Sequence, residues 1–235
     1  MIDHYDWPHG REAMFRFGPH SGPVIIVALP LFEEANRTRA FAVTLLRTLA
    51  GHGIAGALPD FPGQGESLAP TDTVSIERLR MAYGAAAMHL GHDHHSLFGI
   101  SIRSGALIDE CARLEGRWQL APQDGESLLH NLKRIKQAEI GELPSANWRQ
   151  GDIPLRIAGN LILPELLNEL EGCTLHPCHS GQLPLRIARH LSDPAPADVK
   201  FAGAPLWRRA EPDNDPILAR ACAADIAAWM GSCAA

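Results

Sequence analysis

The most informative segment of the chain is Gly56-Ala-Leu-Pro-Asp-Phe-Pro-Gly-Gln-Gly-Glu-Ser67. Its apolar start predicts a β-strand that ends at Asp60, and a tight loop with the pattern Pro-Gly-x-Gly-x-Ser follows. Further along, Ser96-Leu-Phe-Gly-Ile-Ser101 predicts a second strand, which runs into a helix-like pattern from Ser104 onwards. A strand that turns sharply into a helix presents side chains at the edge of a sheet. We call residues 99–105 the elbow.

Bulk composition narrows the class of protein. The chain has 235 residues, 46% of them hydrophobic, which suits one large α/β domain. A net charge of −6 gives no basic footprint, so we predict no nucleic-acid partner. No apolar run approaches the ~20 residues that span a bilayer, and the first residues lack the pattern of a signal peptide, so we expect a cytoplasmic protein. Five cysteines are an odd number, and we expect no disulfide framework.

The order of apolar runs predicts the architecture. Runs of strand length alternate with longer helical patterns, which is typical of a mostly parallel central sheet with helices on both faces. The predicted strands are 13–17, 24–29, 54–58, 96–100, 117–120, 185–188 and 199–202. The predicted helices are 34–50, 76–90, 104–114, 127–138, 164–170 and 215–230, the last capped by Asp215. A polar stretch at 141–152 predicts a loop. We therefore predict one domain over residues 1–235, without a large lid domain.

Several segments resemble the α/β-hydrolase superfamily and, more narrowly, the exosortase A system-associated hydrolases of the second type. Residues 30–39, Pro-Leu-Phe-Glu-Glu-Ala-Asn-Arg-Thr-Arg, resemble that family's Pro-Phe-x-Glu-Glu-x-Asn-x-x-Arg segment. Residues 60–67 are similar to the superfamily's Asp-x-Pro-Gly-x-Gly-x-Ser loop, and blocks at 102–107, 118–122, 156–159 and 203–207 extend the resemblance towards the end of the chain. The resemblance implies the α/β-hydrolase fold and a bacterial esterase or thioesterase that acts on a small or lipid-like acyl group. It also implies a setting among exopolysaccharide production and exosortase-dependent protein sorting.

The elbow aligns with a nucleophile motif in two registers. Gly99-x-Ser101-x-Arg103 keeps Ser101 as the nucleophile but places arginine where the turn ordinarily needs glycine. Ser101-x-Arg103-x-Gly105 places Arg103 in the nucleophile slot, and serine chemistry is then impossible. The family's pattern favours the second register. The alternative role of Ser101 is a local hydrogen bond at the end of a strand.

The histidine and the acid that would complete a catalytic triad are also out of place. The superfamily's histidine follows the last strand, where this sequence has Ala204-Pro205. His190 is the only histidine near enough in chain order to substitute, with Asp193 or Asp124 as the acid. The alternatives are a solvated loop histidine and acids that serve in loops or helix caps. We therefore predict a degenerate triad.

A set of charged side chains is predicted to face a pocket. Glu33, Glu34 and Asn36 follow the third predicted strand, and Arg103 lies on the elbow, so both segments lie at carboxyl ends of strands, where α/β sheets bind ligands. We expect Arg103 to contact Glu33 or Glu34, either in a ligand site or as a link between two loops.

Two function hypotheses use this pocket. In the first, the protein hydrolyses an ester or thioester: Ser101 attacks, and backbone N–H groups of Leu31 or Phe32 and of Ile102 hold the oxyanion. In the second, a non-catalytic protein binds an acyl, glycan or peptide ligand, or a partner protein, and Arg103 anchors a carboxylate or phosphate. Trp207 either walls the pocket or belongs to the core.

The sequence predicts neither a metal site nor a cofactor. Cysteines and histidines lie close together at Cys173, His176, Cys178 and His179, but adjacent Cys178 and His179 are hard to aim at one tetrahedral ion. No phosphate-binding loop or dinucleotide fingerprint occurs in the chain.

Overall fold

A computed structural model describes residues 1–109, 112–141, 148–175 and 183–233 of the chain. The strands are β1 (Ile2–Trp7), β2 (Gly10–Phe17), β3 (Pro23–Ala28), β4 (Ala55–Pro59), β5 (Ser96–Ile102), β6 (Gly116–Leu120), β7 (Leu155–Ile157), β8 (Asn160–Ile162), β9 (Leu185–His190) and β10 (Val199–Phe201). The helices are α1 (Glu33–Gly51), α2 (Ile76–Leu90), α3 (Gly125–Ile140), α4 (Pro164–Glu171) and α5 (Pro216–Cys233).

Eight strands form one sheet in the order β1-β2-β4-β3-β5-β6-β9-β10. β2 pairs antiparallel with β1 and with β4, and the other neighbouring strands of this sheet run parallel. β3 lies between β4 and β5, and Ile26 is opposite both Ala57 and Gly99. The predicted mostly parallel sheet, with 24–29, 54–58 and 96–100 as adjacent parallel strands, is confirmed. β7 and β8 form a separate antiparallel hairpin.

The central strands are buried on both faces, so they contain continuous apolar runs rather than an alternating pattern. Val24 and Ile26 of β3 face the core beneath α2, α3 and α4. Ile25 and Val27, one residue out of step, face the core beneath α1 and α5. The sheet therefore separates two apolar cores, and a side chain in one core cannot reach a side chain in the other.

The helix predicted over 104–114 is wrong. Arg103–Leu107 forms a short 3₁₀ helix, and the described residues up to Leu114 contain no α-helix. The carbonyl oxygens of Asp109 and Ala112 accept hydrogen bonds from the Arg117 guanidinium, at 3.0 and 3.3 Å, instead of serving a helical ladder. A side chain just beyond the segment thus takes carbonyl oxygens that the predicted helix would have used.

Other elements follow the prediction more closely. α2 has the predicted bounds, and Asp215 caps α5 by accepting from the Leu218 N–H at 3.0 Å. The sequence did not predict β1 or the β7–β8 hairpin. Much of the loop predicted at 141–152 lies outside the described residues. No described helix is long and apolar enough to cross a membrane.

Candidate functional site

The loop after β4 is held by a buried carboxylate. Asp60 is 2% exposed, forms an ion pair with Arg39, and accepts from the Glu66 N–H at 3.1 Å. Burial raises the pKa of Asp60, and the Glu66 N–H and Arg39 oppose that rise. Gly65 has φ +57, and a Cβ at that position would lie 2.2 Å from Asp60 Oδ1. Both glycine requirements of the Pro-Gly-x-Gly-x-Ser pattern are therefore structural, since Gly63 also has a positive φ of +72.

The elbow turns at Arg103. This residue directly follows β5 and has a φ of 54°, a left-handed value that residues other than glycine and asparagine rarely adopt. Two residues on, Gly105 packs against β3, and a Cβ there would lie 2.4 Å from Ala28 O. The sharp strand-to-helix turn with a strained apex residue is therefore built around Arg103, in the second of the two registers.

The Arg103 side chain contacts three separate segments at the carboxyl edge of the sheet. Its Nε donates to Glu34 Oε2 at 3.2 Å, and its Nη1 donates to Ala121 O at 3.4 Å. The guanidinium carbon lies 4.9 Å from the centre of the Trp207 ring, within cation–π range. The predicted contact between Arg103 and Glu34 is confirmed. Burial raises the pKa of Glu34, and the nearby positive charge of Arg103 opposes that rise.

The remaining residues of the predicted pocket have separate places. Glu33 forms an ion pair with Arg37, whose Nη1 donates to Trp207 O at 3.0 Å. Trp207 is buried in the core with α1 and α5, so it stacks with Arg103 as a core residue. Asn36 is exposed on the first turn of α1.

The structure does not bring the predicted triad together. Gly99 faces Tyr83 of α2, and Ser101, two residues along the same strand, faces the same side of the sheet. His190 packs against Trp207, with 5.4 Å between ring centres, in the core on the other side. Among the described residues, Ser101 Oγ and both ring nitrogens of His190 are buried without hydrogen-bond partners. The suggested Ser101–His190 pair is not formed, because the sheet lies between them.

The acids suggested for the triad have structural roles. Asp193 accepts from Arg189 Nη1 at 2.9 Å and from the Ala195 N–H at 3.0 Å. Asp124 caps α3 by accepting from the Ser127 N–H at 2.8 Å. Neither carboxylate is bonded to the His190 ring in these contacts. Burial lowers the pKa of His190, and the nearby Gly203 backbone opposes that shift.

The three predicted oxyanion donors differ in their surroundings. The Leu31 N–H donates to Ser104 Oγ at 2.9 Å, so it is not free for a ligand. Phe32 has φ 62 and precedes α1, while Ile102 is fully buried beside Leu120 in the sheet.

A polar groove opens beside Arg103. It has a volume of about 620 Å³, and Arg103, Gln123, His130 and Arg189 are among the residues that line it. Gln123 is 4% exposed, and its Oε1 accepts no hydrogen bond from the described part of the chain. Sequence reasoning missed Gln123, His130 and Arg189. Gln123 could have been found, because it follows β6, the strand next to the elbow strand, at the same edge.

A larger groove lies elsewhere. It has a volume of about 2060 Å³ and runs along α2, past Met81, Met88 and Leu114. None of the site residues predicted from the sequence lines it. The described residues hold no cluster of metal-binding side chains, and His176, Cys178 and His179 lie outside them.

Comparison with solved structures identifies the fold. Est1E from Butyrivibrio proteoclasticus with ferulic acid bound has a TM-score of 0.69 at 12% identity, covering 98% of each chain. A loop variant of the haloalkane dehalogenase DbeA-M1 from Bradyrhizobium elkanii has a TM-score of 0.65 at 11% identity, covering 99% of this chain and 97% of that one. The α/β hydrolase GrgF from Penicillium sp. sh18 has a TM-score of 0.56 at 14% identity, covering 82% and 80%. The chain therefore has the α/β-hydrolase fold. No family profile and no curated protein sequence matches it.

Proposed function

We propose that this protein is a non-catalytic member of the α/β-hydrolase fold that binds a small ligand at the carboxyl edge of its sheet. The position of Arg103 carries the proposal. Hydrolases of this fold place a serine, cysteine or aspartate at the strained apex of the elbow, and here the apex residue, with φ 54, is arginine. A protonated guanidinium has no lone pair to attack a carbonyl carbon.

The surroundings of the elbow support the same proposal. The loop after β10 has Ala204-Pro205, and neither side chain can shuttle a proton. His190 packs in the core on the side of the sheet opposite Ser101. These features support a triad that is degenerate at both nucleophile and base. What remains at this edge is a polar groove beside a positively charged side chain.

The resemblance to the exosortase A system-associated hydrolases supports a role in that setting. Arg39 from the matched segment 30–39 forms an ion pair with Asp60 of the matched loop 60–67. The two matched segments therefore share one structural function, which makes their joint occurrence more informative than either alone. A ligand related to acyl groups or glycans is the class that this resemblance suggests.

Hydrolysis of an ester or thioester is the second candidate. The fold likeness to Est1E favours it, and the low pKa that burial gives His190 would keep its imidazole neutral, as a base requires. It needs Ser101 to meet His190, with Asp193 as the acid, and hence a rearrangement of the sheet.

A fluorophosphonate probe separates the two candidates. The probe labels activated serines without assuming a substrate, and intact mass followed by peptide mapping locates any adduct. We expect no adduct on Ser101 in the wild-type protein, and hydrolysis of p-nitrophenyl acetate no faster in wild type than in Ser101→Ala. A serine esterase in the same tube provides the positive control. An adduct on Ser101 that disappears in Ser101→Ala would establish the hydrolase candidate instead.

A further inference from the structure

We propose that the groove beside Arg103 binds a small hydroxylated organic acid, such as an acidic sugar, and that the ligand's carboxylate takes the place of Glu34 on Arg103. This inference rests on the proposed function, since it names the ligand class of the same site. Glu34 is, on this view, a resident carboxylate that the ligand displaces.

The contact between Arg103 and Glu34 has the features of an exchangeable ion pair. A single hydrogen bond of 3.2 Å joins Nε to Oε2, so the pair lacks the two parallel bonds of a strong guanidinium–carboxylate fork. Among the described residues Nη2 has no hydrogen-bond partner. Arg103 lines the groove, and its side chain is 15% exposed, so a ligand in the groove can reach the guanidinium from the side that Glu34 leaves open. An incoming carboxylate could bond both Nε and Nη2, which Glu34 does not.

The lining of the groove favours a hydroxylated ligand over an apolar acid. Ser127, His130 and Asn131 offer hydrogen-bonding groups along α3. The Oε1 of Gln123 is buried and has no partner among the described residues, and a rotation of the Gln123 amide towards the groove would let a ligand hydroxyl donate to it. Leaving that acceptor unpaired is unfavourable, so an occupant that donates there is preferred.

Charge within the groove is mixed but favours an anion near Arg103. Arg189 lines the groove as a second cation, partly neutralised by Asp193. Asp124 and Glu126 also line it, and Asp124 is engaged as the cap of α3. A neutral sugar would lack the electrostatic attraction to Arg103, and a polyanion would be repelled by Asp124 and Glu126.

The experiment measures binding of D-glucuronate by isothermal titration calorimetry, with D-glucose and acetate as partial ligands. We expect saturable binding of glucuronate that is stronger than that of glucose or acetate. Glu34→Gln removes the competing carboxylate and should tighten glucuronate binding about tenfold, while Arg103→Met should weaken it at least about tenfold. Arg47→Met, which removes an exposed arginine on α1, is the matched charge control and should change nothing.

The gain of affinity in Glu34→Gln guards against misfolding, because an unfolded variant cannot bind more tightly. Absence of saturable binding in both wild type and Glu34→Gln would overturn the proposal, as would binding that Arg103→Met leaves intact. Acetate binding as strongly as glucuronate would overturn the hydroxylated class. These calorimetric results test the ligand class and leave the proposed non-catalytic function intact as long as the phosphonate forms no adduct. An adduct on Ser101 would contradict the non-catalytic function whatever the calorimetry shows.

Discussion

Substituting Gly65 by alanine tests whether Asp60 holds the loop after β4. At φ +57 an alanine costs about 1–2 kcal/mol of backbone strain. Its Cβ would lie 2.2 Å from Asp60 Oδ1, so the carboxylate must move away from the Glu66 N–H and Arg39. Weakening the bonds of a buried charged group costs roughly 1–3 kcal/mol more. We therefore expect Gly65→Ala to lower the free energy of unfolding by about 2–5 kcal/mol.

Urea unfolding followed by circular dichroism measures this difference. Gly53→Ala is the matched control, because Gly53 also has a positive φ, of +77, but a Cβ there meets no atom within 4 Å. The control should lose only the strain of about 1–2 kcal/mol. In an Asp60→Ala background, Gly65→Ala should cost no more than the control. Equal losses for Gly65→Ala and Gly53→Ala, or full additivity with Asp60→Ala, would show that the Asp60 carboxylate does not hold this loop.

Three further predictions concern the core and the elbow. Burial would raise the pKa of Asp225, but hydrogen bonds from Arg186 and Trp118 lower it overall. The ionised carboxylate therefore stabilises the fold above its unfolded pKa, and this stabilisation is lost as pH falls. Asp225→Asn should lower the free energy of unfolding, measured in urea, by about 2 kcal/mol at pH 7 and by less in acid. Burial lowers the pKa of His190, so the wild type should lose stability as pH falls below about 6.5. Melting curves of His190→Phe should not show this loss, whereas those of the control His52→Phe, at an exposed position, should show it. Arg103→Gly should be about 1 kcal/mol more stable than Arg103→Ala, because glycine relieves the strain at φ 54, and the opposite order would show that the elbow is unstrained.

Local patterns sufficed for most of the sheet. Strands buried on both faces, such as β3 and β5, contain uninterrupted apolar runs, and these runs identify them without knowledge of their neighbours. The alternating strand β1 was missed, because only Tyr5 and Trp7 of its six residues are buried. The false helix at 104–114 has a different cause, since the spacing of apolar residues does not show that the nearby Arg117 side chain takes the carbonyl oxygens of Asp109 and Ala112.

The site was only partly predictable for the same reason. Arg103 and Glu34 were expected to meet because parallel strands place their carboxyl ends at one edge. The relation between Ser101 and His190 depends on which face each side chain takes. Chain order suggested them as partners, whereas strand register and the packing of Trp207 place them in different cores. When two strands are not paired with each other, the sequence alone does not determine whether residues on them face the same side of the sheet.

Strain is concentrated at the edge of the sheet where Arg103 lies. Phe32, Arg103 and Ala121 have φ of 62, 54 and 46, and they follow β3, β5 and β6, three strands that lie side by side. Each such residue costs on the order of 1 kcal/mol or more, and it persists only where surrounding contacts fix it. Arg103 supplies part of that fixation itself, because Nη1 bonds the carbonyl of Ala121 while Nε holds Glu34 near Phe32. A ligand carboxylate that displaces Glu34 would therefore release the first turn of α1 from the elbow while leaving the contact between Arg103 and Ala121 in place.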